Sequence, residues 1–309
     1  MGKQNYCTYP RSFRSYRWYK PLLTLLLAAV LTLAAVIALA VAMELLGYSM
    51  PAMDGYDELD VYSAPGAIYT LGLIALFLPA LRLTAKLRRD RPFSSYSSVR
   101  GGWDFRLFFR CLLLATATRA LLNVLLVVLF SERTGGVRFT PAGFVLCLVL
   151  GPLQCIAEEF GFRGILMQTF GAWFRLPVIA VVLSAAVFAS QHPYDFWGVL
   201  VIFLSGLFFG FAAELTGGLE AGSALHIANN MSAFLIAGVG YDVIHTATDP
   251  TDVLWTVLAE GGYLALLWLG KRRGWYDRVL RDDPAAYNAW YDERLARKAA
   301  KKRGDPLDT

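Results

Sequence analysis

The sequence predicts an all-α fold, a polytopic membrane helical bundle of about eight spans, on three observations. Of 309 residues, 56% are hydrophobic and only 17% charged, where a soluble domain carries about 25% charge. Apolar segments of about 20 residues, the length that crosses hydrocarbon as a helix, recur from residue 21 to residue 270. No soluble block longer than the C-terminal tail is left between them. In lipid the backbone must satisfy its own hydrogen bonds, so runs of this kind are helices.

The candidate spans run roughly 21–46, 64–83, 107–130, 141–170, 176–191, 196–214, 221–239 and 253–270. The fourth is long and holds Gly151-Pro152, where a kink or break is expected because proline removes a helix hydrogen bond. The first is too long for the apolar core of a signal peptide and reads as a retained anchor. The chain thus divides into a basic N-terminus (1–20), a transmembrane bundle (21–270) and a charged tail (271–309).

Loop charge sets the expected orientation. Lys3, Arg11, Arg14, Arg17 and Lys20 precede the first span with no acid among them. The first loop has Asp54, Asp57, Glu58 and Asp60 and no base. The second is basic again, with Arg82, Lys86, Arg88, Arg89, Arg91, Arg100 and Arg106, and Lys271, Arg272 and Arg273 follow the last span. With eight spans the strongly basic segments share one side, which the positive-inside rule makes cytoplasmic, both termini included. The expected location is the cell membrane. The net charge of +5 is therefore a topology signal and gives no reason to expect nucleic acid. The end of the tail, "RLARKAAKKRGDP", reads as a solvated helix or a disordered stretch drawn to anionic membrane lipids. Cys7, Cys111, Cys147 and Cys155 form no CxxC pair and read as small core residues.

Ionisable groups inside a membrane are costly, so each is a functional candidate. Three clusters stand out. In "AEEFGFRG" (157–164), Glu159 and Arg163 are four apart on a helix and can pair. Glu158 points about 100° away and is left for a cavity. In "FASQH", Phe188 and His192 are one turn apart. In "HIANN", His226 and Asn230 share a helix face, with Asn229 off that face as a packing group. Together these residues provide a general base, a second proton-handling group and hydrogen-bond donors for a developing oxyanion. No serine or cysteine nucleophile has an obvious setting, so an activated water is the natural attacker.

The order EExxxR, FxxxH, HxxxN over residues 141–239 resembles the CAAX protease and bacteriocin-processing family of intramembrane proteases, the type II CAAX prenyl endopeptidases and their bacterial relatives. The resemblance implies an eight-helix bundle with a conical cavity open to the cytosol, and an intramembrane endopeptidase acting on a peptide or lipid-modified protein. By the same resemblance Glu158, assisted by His192, activates water, His226 and Asn230 stabilise the oxyanion, and Glu159 with Arg163 braces the first motif. If zinc is used, Glu158, His192 and His226 are its expected ligands. No HExxH pair is present, and the metal-free mechanism is favoured. The alternatives are a proton-coupled transporter with a Glu/His relay, or a scaffold or immunity member of the family without turnover.

Two further expectations follow from helix arithmetic. If every span crosses fully, His192 lies near the outer end of the fifth and His226 near the inner end of the seventh, well apart in depth. Arg119 in the third span and Glu260 in the eighth each need a partner and are expected to pair. Arg110, near a span end, is expected to snorkel, and His245 to be exposed in a loop.

Overall fold

The computed structural model describes residues 5–48, 60–130, 133, 135–241 and 250–303. It is 77% helical, with no strand among the described residues. Eight helical segments cover the eight expected spans: α1 Lys20–Leu45, α2 Ala64–Arg88, α3 Phe105–Leu129, α4 Pro141–Phe174, α5 Pro177–Ala189, α6 Phe196–Thr216, α7 Glu220–Gly238 and α8 Pro250–Arg272. Six of them are long and apolar enough to cross a membrane; α5, with 13 residues, and the more polar α7 are the other two. A ninth helix, α9, spans Asp283–Arg303. His245, the acids Asp54, Asp57 and Glu58, and Asp242 and Asp249 lie outside the described residues.

Sequence sets the helix starts. Asp104, Thr140 and Asp195 precede α3, α4 and α6 and accept hydrogen bonds from their otherwise unpaired first N–H groups, as at Gly143 N to Thr140 Oγ1, 3.0 Å. Gly217, at φ +73°, turns the chain between α6 and α7.

Burial then sorts the helices. α1 exposes Leu22, Leu26, Val30, Leu33, Ile37 and Val41 around its length and packs mainly on the second half of α2. An apolar face of that extent is stable against lipid and not against water. α7 is the opposite case. It is enclosed by α3, α4 and α6, and every residue from Glu220 to Ala228 is buried. A helix so placed can carry polar side chains, because its neighbours supply their partners. The molecule is a multi-pass membrane protein.

Two expectations are corrected. α4 does not break at Pro152: its α-helical part runs through it, Pro141–Glu159. Gly151 lets α7 approach so closely that a Cβ at that position would stand 2.5 Å from Met231 Sδ. The irregularity lies further on, in a π-helical stretch Phe160–Met167, followed by α-helix to Phe174. The depth expectation fails for a simple reason. The 34 residues of α4 make about 51 Å, well beyond an apolar core of about 30 Å. The 13 residues of α5 make only about 20 Å, short of that core, and both histidines border Phe188.

The segments expected on the cytoplasmic side pack together. Tyr6, Cys7, Tyr9 and Phe13 are buried, and Cys7 N donates to Glu214 at 2.8 Å and Arg11 to the Ala172 carbonyl at 2.9 Å. α9 docks its first half on the N-terminus, while residues 293–299 are exposed: Arg14 N donates to Asn288 Oδ1 at 2.8 Å, and Asn288 Nδ2 to the Ser12 carbonyl at 3.0 Å. Both terminal segments therefore lie on one side of the bundle.

At the other end of α4, a Cβ on Gly143 would fall 1.8 Å from the Tyr62 carbonyl oxygen, so the backbone must shift to admit one. Gly143→Ala is expected to destabilise the protein by about 1–3 kcal/mol, and Thr140→Ala, which removes only the cap, by about 1 kcal/mol. Thermal unfolding of both in one detergent checks the order.

Candidate active site

Four helical segments and the residues just after α5 bring the motif residues together. Glu159 and Arg163, both with fully buried side chains, pair at 2.8 Å across one helical turn of α4, as their spacing predicts. Arg163 Nη2 also donates to the Gly206 carbonyl of α6 at 2.9 Å. Its guanidinium lies 4.7 Å from the Phe188 ring centroid and 5.3 Å from that of Phe209. A fully buried ion pair survives only when its remaining valences are met, and a carbonyl and two aromatic faces meet several here. The helices come close enough for this because two residues lack side chains. A Cβ on Gly206 would sit 3.0 Å from Ala185 Cβ, and one on Gly222 3.1 Å from Glu159 Oε2.

His226 stands on this base. Its Nδ1 lies 3.2 Å from Glu159 Oε1, and its Nε2 lies 3.5 Å from Glu158 Oε2 and 3.3 Å from Asn230 Nδ2. The ring stacks on Phe209, with centroids 4.8 Å apart and planes at 19°. Phe188 meets it edge-on at 5.8 Å. Glu158, His226 and Asn230 thus share one small volume. Glu158 keeps 16% of its side-chain surface exposed, against none for Glu159. The adjacent acids are divided as the 100° step between them requires: one locked, one open.

His192 joins from the other side of Phe188. Its ring packs on that phenylalanine at 4.9 Å, so both histidines border the same side chain. Glu158 and His226 are within electrostatic reach of it, but among the described residues no hydrogen bond joins them. His192 Nδ1 lies 3.0 Å from the Phe188 carbonyl oxygen. A carbonyl only accepts, so Nδ1 carries the proton and the lone pair of the neutral ring is on Nε2.

Behind this cluster lies a second one. Arg119 and Glu260 pair across α3 and α8 at 3.7 Å, as their need for partners predicts. Ser205 of α6 donates to the same Glu260 oxygen at 2.9 Å. Sequence reasoning missed the closer contact: Arg119 Nε donates to Asn229 Oδ1 at 2.7 Å, so Asn229 is more than a packing group. Adjacent to it in sequence, Asn230 was the only signal available. Also missed was the brace at the base of α7, where Arg100 Nη2 meets Glu220 Oε2 at 2.6 Å with both side chains buried. The acid opening a span beside a basic loop was its sequence signal. Arg110 is exposed, as snorkelling requires.

The zinc ligand set named from sequence is not formed. Among the described residues no three His, Cys, Asp or Glu side chains are arranged to hold a metal ion. Both nitrogens of His226 already have protein neighbours, and the Phe188 ring lies against both imidazoles.

A multi-pass membrane protein with a carboxylate, two imidazoles and an amide gathered among its helices is the class that fold and site define. Residues 140–232 match the family described as type II CAAX prenyl endopeptidase Rce1-like, which is the family that the motif order resembles. All the motif residues lie inside the matched segment. The uncharacterized protein YyaK of Bacillus subtilis (strain 168) is 34% identical over 91 residues, which are 27% of this chain and 30% of that protein. The chain therefore aligns with less than a third of that relative's length. No solved structure matches.

The unequal burial of the two acids has a measurable consequence. Glu159→Ala strands a buried guanidinium and is expected to cost about 3–5 kcal/mol, whereas Glu158→Gln keeps shape at a half-open position and is expected to unfold near the wild-type temperature. Equal losses in thermal unfolding would contradict this division.

Proposed function

We propose that the protein is an intramembrane endopeptidase in which Glu158, assisted by His192, activates water to attack a peptide carbonyl, with His226 and Asn230 lining the oxyanion site. The observation that carries the reading is the meeting of Glu158, His226 and Asn230 within 3.5 Å of His226 Nε2, inside a segment that matches an endopeptidase family.

Each role follows from the chemistry of the group. A carboxylate takes the proton of a water held against it, and the resulting hydroxide adds to the carbonyl. Negative charge then builds on the carbonyl oxygen, where a donor fixed beforehand stabilises it without reorganising. Asn230 Nδ2 is such a donor, aimed by the His226 ring, which Phe209 and Glu159 hold in turn. His192, with Nε2 unprotonated in the neutral ring, accepts a proton from water or from Glu158 and returns it to the leaving amine. Glu159 and Arg163 take no proton in this scheme; they fix where His226 stands. The substrate is a peptide or lipid-modified protein, reached from the cytoplasmic side of the cell membrane. No step requires a metal.

Cleavage of candidate peptides in matched detergent tests the assignment. Glu158→Gln is expected to lower kcat by about 10²–10⁴-fold and Asn230→Ala by about 10²–10³-fold, with folded protein in both cases. Unchanged turnover in Glu158→Gln would remove the base from the mechanism. Turnover is expected to survive exhaustive chelation, and loss restored by added zinc would overturn the metal-free scheme.

A further inference from the structure

We infer that Arg119, on a helix that carries none of the three motifs, is a positioning residue that fixes the amide of Asn230 and the tautomer of His226. The inference rests on which atoms can donate. A guanidinium has only donors, so the Asn229 atom 2.7 Å from Arg119 Nε must be the carbonyl oxygen. Asn229 is thereby prevented from turning over, and its Nδ2 is the atom presented to Asn230, 3.4 Å from Oδ1. Asn230 is then oriented in turn: with Oδ1 accepting from Asn229, its Nδ2 faces His226 Nε2 at 3.3 Å. Glu158 Oε2 also faces that nitrogen, at 3.5 Å, but the amide is the nearer group and its N–H needs an acceptor. His226 Nε2 is therefore unprotonated in the resting protein, and its single ring proton is on Nδ1, donated to Glu159 Oε1 at 3.2 Å.

The far end of the ladder is secured as well. Glu260 Oε1, fully buried, faces Arg119 Nε at 3.7 Å and receives Ser205 Oγ at 2.9 Å. One turn along α3, Asn123 donates to Ser232 Oγ at 2.8 Å, and Ser232 donates to the backbone carbonyl of Asn229 at 2.9 Å. So α3 bonds to α7 at two successive turns, to the Asn229 amide and to Ser232. The sense of every hydrogen bond between Arg119 and Glu159 follows from two end groups that cannot reverse, a guanidinium that only donates and an ionised carboxylate that only accepts.

For the proposed hydrolysis the consequence is a division of labour within the oxyanion pair. Asn230 is the donor, and His226 is the acceptor that aims it. This consequence rests on the endopeptidase reading; the tautomer itself does not.

The test uses full-length protein in detergent with 15N-labelled histidine rings, a spectrum made tractable by a total of three histidines. His226 is expected as the neutral Nδ1–H tautomer, and Arg119→Lys, also a pure donor, is expected to keep it. Asn229→Asp is the sharper variant. It retains an acceptor for Arg119 but cannot donate to Asn230, so the His226 signal is expected to shift towards a tautomer mixture. Its kcat is expected to fall with KM little changed, by less than the about 10²–10³-fold cost of losing an oxyanion donor outright. A wild-type His226 protonated on Nε2, or an Asn229→Asp spectrum identical to wild type, would overturn the inference. A shifted tautomer in a protein whose turnover ignores Glu158→Gln would instead leave the ladder standing and remove the hydrolysis built on it.

Discussion

The arrangement depends on one contact, the ion pair of Glu159 and Arg163, whose side chains have no exposed surface. Charges so deep must be neutralised and hydrogen-bonded or they destabilise the fold. Meeting that demand draws in α6 through the Gly206 carbonyl, α5 and α6 through the Phe188 and Phe209 rings, and α7 through His226. The pair is thus the point on which four segments are registered. His226 inherits its position from it, and Glu158, one residue along the same helix, is placed without a brace of its own.

The sequence was most legible where geometry is local. Four residues separate Glu159 from Arg163 and His226 from Asn230, and both pairs form as a helix dictates. Arg119 and Glu260 were legible for a different reason: the cost of an unpartnered charge in lipid leaves few solutions. Asn229 was not legible. Which neighbour its side chain meets depends on the face that α7 turns towards α3, a tertiary property that spacing along one helix does not contain. The two histidines meet despite the arithmetic of full crossings, because an overlong α4 is followed by a short α5. The break allowed for at Pro152 does not form, and α7 packs on α4 beside it at Gly151.

Polar groups in this bundle are concentrated rather than scattered. α7 carries Glu220, Ser223, His226, Asn229, Asn230 and Ser232 and is the most enclosed helix, while α1 is apolar and faces outward. Both site arginines, Arg119 and Arg163, sit in π-helical turns of their own helices. Such turns recur at functional sites, because an added residue per turn swings a side chain away from the regular helix stripe. Here the two turns bring cations towards α7 from opposite neighbours.

The clasp between the two ends of the chain bears on how the molecule is made. Arg14 and Ser12 meet Asn288 across sequence separations of 274 and 276 residues. A ribosome delivers the first partner long before the second exists, so the amino-terminal segment waits, without that partner, while the helices between them are made. Closure of the clasp waits for Asn288, and a chain truncated before α9 leaves the Arg14 N–H and the Ser12 carbonyl without these partners.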